Sequence, residues 1–127
     1  MAEIKISISE DNAEAGTTVV NVEGVVDTTT ASELEKALNS LINVKRRGII
    51  VNLAPVEYIS TAGWSILISA SEKMRENNGE LVLVNMIPNV SENYHLFEFD
   101  KIIRSFESVK KAGLELGKSV DSGLRKS

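Results

Sequence analysis

The chain has 127 residues, 43% of them hydrophobic and 25% charged, which is the size and balance of one globular domain able to bury its own core. A formal net charge of -4 and a pI of about 5.1 give no general drive toward nucleic acid or anionic membrane and favour neutral or basic partner surfaces. Cysteine is absent, the opening MAEIKISISE is no signal peptide, and no run of about 18 apolar residues exists to cross a membrane, so a cytoplasmic protein without disulfides or thiolate metal sites is expected.

In chain order, Ile4, Ile6 and Ile8 alternate with polar residues as a half-buried strand requires, and Glu10 to Gly16 reads as a polar turn. Thr17 to Val26 is β-branched and reads as a second strand pairing with the first, with Gly24 marking a bulge or a close backbone approach. From Ala31 the period changes. Ala31, Leu34, Ala37, Leu38, Leu41 and Ile42 define an amphipathic helix capped by one of Thr28, Thr29 or Thr30 and ending near Gly48. Gly48 to Leu53 is an apolar run suited to a central strand, and a loop over Ala54 to Ser60 leads into a second helix from Thr61 to Asn77. A strand at Leu81 to Val84, a short helix over Val90 to Phe97, a last strand near Ile102 to Phe106 and a helix from Val109 to Leu116 follow. The order predicts an α/β fold, a mixed and mainly parallel sheet of about five strands packed against about four helices. One domain over residues 1–117 and a flexible polar tail over 118–127 are expected.

Little in the sequence supports catalysis. The single His95 lacks the partners a metal site needs, and ISTAG at Ile59 to Gly63 does not match the G-x-S-x-G elbow. Neither phosphate-loop signature is present, and the carboxylates Glu33, Glu35, Glu72 and Glu76 lie among helix-spaced lysines as on solvated faces. No catalytic, metal or cofactor site is therefore expected.

The junction Tyr58 to Trp64 carries two readings. Structurally, Ser60 caps the second helix, Thr61 lies in its first turn and Gly63 permits close packing. Functionally, the unpaired N–H groups and positive dipole of a helix N-terminus can accommodate a phosphate on a nearby hydroxyl, whose charge of about -1.5 to -2 would repel or restructure a partner contact. Gly63, Ile66, Leu67, Ala70 and Met74 form the core stripe, which leaves Trp64 on the adjoining flank, either as a partner anchor or as a cover for the core edge.

Several separated features resemble the STAS domains of bacterial anti-sigma factor antagonists, over a span from about Ile4 to Leu116. VEGVVDTTTASEL is similar to the family's G-x-[apolar]-D-x3-A-x2-L signature through Gly24, Val26, Asp27, Ala31 and Leu34. IIVNLAPVEYI with STAGWSIL resembles its strand, loop and D-[ST]-x-G helix start, and ELVLVNM occupies the place of the next strand. The resemblance implies that Thr61 is the phosphorylated residue and that Asp27, Ser60, Thr61, Gly63 and Trp64 form the partner-binding surface. It also implies a partner that is both anti-sigma factor and serine kinase with a histidine-kinase-like ATPase fold, and a PP2C-type phosphatase to reverse the modification. The unphosphorylated form would then bind the anti-sigma factor and free the sigma factor, with no enzymatic activity of its own. A scaffold subunit of a stress-sensing complex or a lipid-transport ATPase is the alternative within the same family. Two positions depart from the pattern: Ser60 replaces the usual aspartate and becomes a competing acceptor, and Asn52 stands where the preceding strand often carries another. Glu98, Phe99 and Asp100 replace the glycine and leucine usual before the last strand.

Overall fold

The computed structural model describes residues 3–12 and 16–126. Its first two strands, β1 (Ile4–Asn12) and β2 (Thr17–Val26), form an antiparallel pair, with Ile4 opposite Gly24 and Glu10 opposite Thr18. Helix α1 (Ala31–Asn43) then crosses to β3 (Gly48–Asn52), which runs parallel to β2. A four-residue strand, β4 (Val56–Ile59), pairs with the last residues of β2, and α2 (Thr61–Glu76) leads to β5 (Glu80–Val84) beside β3. Helix α3 (Pro88–Leu96), a 3-10 turn over Phe99–Lys101, the two-residue strand β6 (Ser105–Phe106) and α4 (Val109–Lys126) complete the chain. The sheet order is β1-β2-β3-β5-β6, with β4 joined to β2 off that path.

The central strands are buried on both faces, which is why they read as apolar runs rather than alternating ones. Ile49, Val51, Leu81 and Leu83 face a main core completed by Leu34, Leu38, Leu41 and Ile42 of α1 and Leu67, Ala70 and Met74 of α2. Each fully buried leucine in this layer contributes about 1.5–3 kcal/mol of transfer free energy. On the other face, Val19, Ile50, Val82 and Val84 pack under Ala112 and Leu116 of α4. Gly24 supplies the expected close approach: its φ is +105°, and a Cβ there would lie 2.4 Å from the Glu3 carbonyl oxygen.

Several boundaries differ from the sequence reading: α1 ends at Asn43 rather than near Gly48, α3 begins at Pro88 rather than Val90, and four further differences have identifiable causes. β4 occupies what was expected to be loop, because Val56 and Ile59 are buried and pair with β2 although Pro55, Glu57 and Tyr58 between and before them look loop-like. β1 continues to Asn12 through an irregularity between Glu10 and Asn12, which shortens the expected turn, and residues 13–15 lie outside the described residues. The last strand contracts to Ser105–Phe106, since the chain is still in a turn at Ile102. Helical backbone in α4 extends beyond Leu116 to Lys126, where no proline interrupts it, and Ser127 lies outside the described residues.

Candidate partner-binding site

At the carboxyl end of β2 the chain leaves the sheet through Asp27 and returns beside it as the start of α2. The Ser60 N–H donates to the Val26 carbonyl at 2.8 Å, which ties the α2 entry to the last residue of β2. Gly63 makes that contact possible: a Cβ there would lie 2.7 Å from Val26 Cγ1 and 2.8 Å from Ile59 Cγ2. Ser60 has the extended backbone of an N-cap and its Oγ accepts from the Gly63 N–H at 3.3 Å. Thr61 is consequently the first helical residue, and it is exposed, whereas Ser60 is half-buried.

Asp27 organises the neighbouring turn. Its Oδ1 accepts from the Thr29 hydroxyl at 2.7 Å, the Thr29 N–H at 2.9 Å and the Thr30 N–H at 3.2 Å. The Thr29 hydroxyl does most to lower the carboxyl pKa from its ordinary value; desolvation, next in size, opposes it, and the two backbone donors and the Thr30 hydroxyl add to the lowering. Thr30 locks the turn from the other side, donating to the Val25 carbonyl at 2.7 Å and accepting from the Asp27 N–H at 2.9 Å. The turn is therefore fixed before any partner arrives.

The structure brings Asp27, Ser60 and Thr61 to one surface but withdraws Trp64 from it. Trp64 is only 3% exposed, with its ring 4.9 Å from that of Phe99 and 6.1 Å from that of Tyr94. Its expected place in the contact surface is corrected accordingly: α3 and the following 3-10 turn close over it, and it belongs to the core. Gly63 is buried as well and shapes the site from beneath. The exposed aromatic ring of this region is Tyr58 on β4, 46% exposed, which sequence reasoning did not single out. The available signal was the spacing of Val56 and Ile59, whose burial on β4 leaves Glu57 and Tyr58 outward.

The surroundings carry negative charge. Residues 6–35 contain no lysine or arginine, and Glu57 is the only charged residue between Asn52 and Ser71. The first turn of α2 contains no acid. An exposed hydroxyl at an uncharged helix start, tied to the strand end that carries Asp27, can take a phosphate that would sharply increase the local negative charge. His95 lies elsewhere, exposed on α3 with its Nδ1 3.7 Å from Asp100, and no cluster among the described residues could hold a metal ion. No described helix is long and apolar enough to cross a membrane.

The STAS domain family model matches residues 9–112. The chain belongs to the STAS domain family. It is 30% identical over 84 residues to the BtrV chain of Bordetella bronchiseptica, covering 66% of this chain and 72% of that one. It is 27% identical over 112 residues to the anti-sigma-F factor antagonist RsfB of Mycobacterium tuberculosis, covering 86% of each. In fold, this STAS chain is similar to an anti-sigma factor antagonist from Mycobacterium paratuberculosis, with a TM-score of 0.81, 24% identity and coverage of 90% of this chain and 94% of that one. The Bacillus cell fate determinant SpoIIAA in its phosphorylated form aligns with a TM-score of 0.66 and 13% identity over 85% of this chain and 96% of that one.

Proposed function

We propose that this STAS protein is an anti-sigma factor antagonist switched by phosphorylation of Thr61. Unmodified, it binds an anti-sigma factor through Asp27, Ser60 and Thr61, with Tyr58 at the edge of the contact, and the sigma factor is released. The anti-sigma factor is also the kinase, an ATPase of histidine-kinase-like fold that transfers the phosphoryl group to Thr61. The added charge then ejects the antagonist, and a PP2C-type phosphatase restores it. The protein acts by binding, without turnover of its own.

The observation that carries this reading is the exposed Thr61 side chain at the first residue of a helix whose cap is a neutral hydroxyl. A phosphate there meets the positive end of α2 without displacing a carboxylate cap. Ser60 is the poorer acceptor, since its oxygen is half-buried and engaged with the Gly63 N–H. A phosphate on Thr61 would add bulk and a charge that must be desolvated at the contact, and would repel any acidic group of the partner facing Thr61, so the modified chain is released.

Incubation with ATP and the copurifying kinase tests the assignment by intact mass and peptide mapping. One phosphoryl group on Thr61 is expected, lost in Thr61→Ala and kept in Ser60→Ala. Thr61→Glu should weaken anti-sigma factor binding by at least about tenfold. A phosphoryl group mapped to Ser60, or unchanged binding by Thr61→Glu, overturns the switch. Stable copurification with an ATPase subunit, insensitive to ATP and to Thr61→Ala, would instead assign a scaffold role.

A further inference from the structure

Away from Thr61, the sheet ends in a long edge. β1 is nine residues and pairs with β2 alone among the described strands, whereas the opposite edge, β6, has two residues. The hydrogen-bond phase of β1 follows from two contacts. The Val25 N–H donates to the Glu3 carbonyl at 3.1 Å, and the Gly24 N–H turns the other way, to the Pro55 carbonyl at 3.0 Å. In an antiparallel ladder such bonded and non-bonded pairs alternate. With Lys5 opposite Glu23, Ser7 opposite Asn21 and Ser9 opposite Val19, these odd-numbered residues bond to β2. Ile4, Ile6 and Ile8 therefore point their N–H and C=O groups to the open edge.

The same three residues form one side-chain row. Ile4 and Ile6 pack partly against the main core, but Ile8 is 51% exposed. An edge that offers both unpaired backbone groups and an uncovered apolar side chain is a template for another strand. We propose that this edge binds the same edge of a second copy of the chain, with β1 pairing antiparallel to β1 about a two-fold axis at Ile6.

The register follows from the sequence. Centred on Ile6, the pairing sets Ile6 against Ile6 and Ile4 against Ile8, so each outward-facing residue meets an isoleucine and about six hydrogen bonds close the junction. Each exposed Ile8 then gains the Ile4 of the other copy as a cross-strand neighbour. On the opposite face Lys5 meets Ser7, and Lys5 already lies opposite Glu23 of its own β2. The neighbouring registers are worse. A slip one way opposes Lys5 to Lys5, and a slip the other way keeps only the Ile6–Ile8 pairs and loses the isoleucine opposite Ile4. Like charge in one slipped pairing and a lost isoleucine pair in the other thus favour the register centred on Ile6.

Sedimentation velocity over a concentration series, with amide exchange, tests the proposal on the full chain. Ile8→Pro removes an N–H that β2 does not use, at a kind of position where an edge strand tolerates proline. By symmetry it deletes two hydrogen bonds from the junction and should weaken dimerisation about thirtyfold. Ile8→Lys, which keeps the backbone and places a charge opposite Ile4, should do likewise, with circular dichroism unchanged in both variants. Protection of the Ile4, Ile6 and Ile8 amides should rise with concentration while that of Lys5, Ser7 and Ser9 stays constant. A monomer at all concentrations up to about 1 mM overturns the proposal. So does a dimer indifferent to both variants, or protection of the three isoleucine amides that does not depend on concentration.

Discussion

The first turns of α1 and α2 lie at the same end of β2 and neutralise their N-termini in different ways. At α1 the N-cap Thr30 makes no side-chain cap bond; the Asp27 carboxylate gathers four donors from Thr29 and Thr30 in the turn just before the helix, and Glu33 places an acid in the first helical turn. At α2 the cap is the Ser60 hydroxyl, held by one bond of 3.3 Å, and the first turn has no acid. A helix N-terminus carries roughly half a positive charge, which a carboxylate offsets and a hydroxyl does not. The α1 terminus is therefore internally balanced and serves the fold, while the α2 terminus keeps its capacity for an added anion beside Thr61. Two helix starts a few residues from one strand end are thus suited to different tasks by where acidic side chains are placed.

The largest effect that could break this contrast comes from the inner side of α2. Trp64→Ala removes a ring packed on Phe99 and Tyr94 and should lower stability by about 3–5 kcal/mol in chemical denaturation. A tryptophan that served the partner surface instead would leave stability nearly unchanged and reduce binding alone. Denaturation midpoints and partner affinity measured on the same preparation separate the two.

How much of this was legible depends on whether the determining contacts are local. The α1 stripe at Leu34, Leu38, Leu41 and Ile42 is buried as its spacing predicts, and the apolar runs at β3 and β5 are central strands. The Ser60 cap and the start of α2 at Thr61 were equally readable, because a cap acts over three residues. The sequence left Trp64 open between partner anchor and core-edge cover, since its burial depends on Glu98 adopting a left-handed backbone, φ 58°, so that the chain turns Phe99 back over the indole. β4 was hidden for a related reason: its pairing needs the irregularity at Gly24 in a distant strand. Asn52 shows a third case. Its amide donates to Asn21 Oδ1 at 3.0 Å and its oxygen accepts from Asn85 at 3.2 Å and the Ala54 N–H at 3.2 Å. An aspartate could accept those two bonds but could not make the donation, so the departure from the family pattern is intelligible only once Asn21 and Asn85 lie alongside.

A smaller effect sharpens the α1 side. Asp27→Ala leaves the Thr29 and Thr30 donors without their common acceptor and should lower the thermal midpoint at neutral pH. The wild-type carboxyl has a folded pKa below its unfolded value. Its contribution is therefore present above the ordinary carboxylate range and lost as pH falls through the folded pKa. The midpoints of wild type and Asp27→Ala should differ most near neutrality and converge in acid. A difference independent of pH would mean that packing of the turn, rather than the charge on Asp27, carries the effect.

The smallest effect bears most directly on Thr61. Ser60→Asp supplies the charged cap that α2 lacks and should raise stability by about 0.3–1 kcal/mol at low ionic strength, diminishing as salt is added. The same substitution should reduce the gain from phosphorylation, because a phosphate on Thr61 would then meet a carboxylate at the terminus it would otherwise neutralise. The thermal shift between phosphorylated and unmodified protein should accordingly be smaller in Ser60→Asp than in wild type, even though the unmodified variant is the more stable of the two. Equal shifts in both would show that the α2 dipole does not stabilise the phosphate, and that the switch works through repulsion of the partner alone.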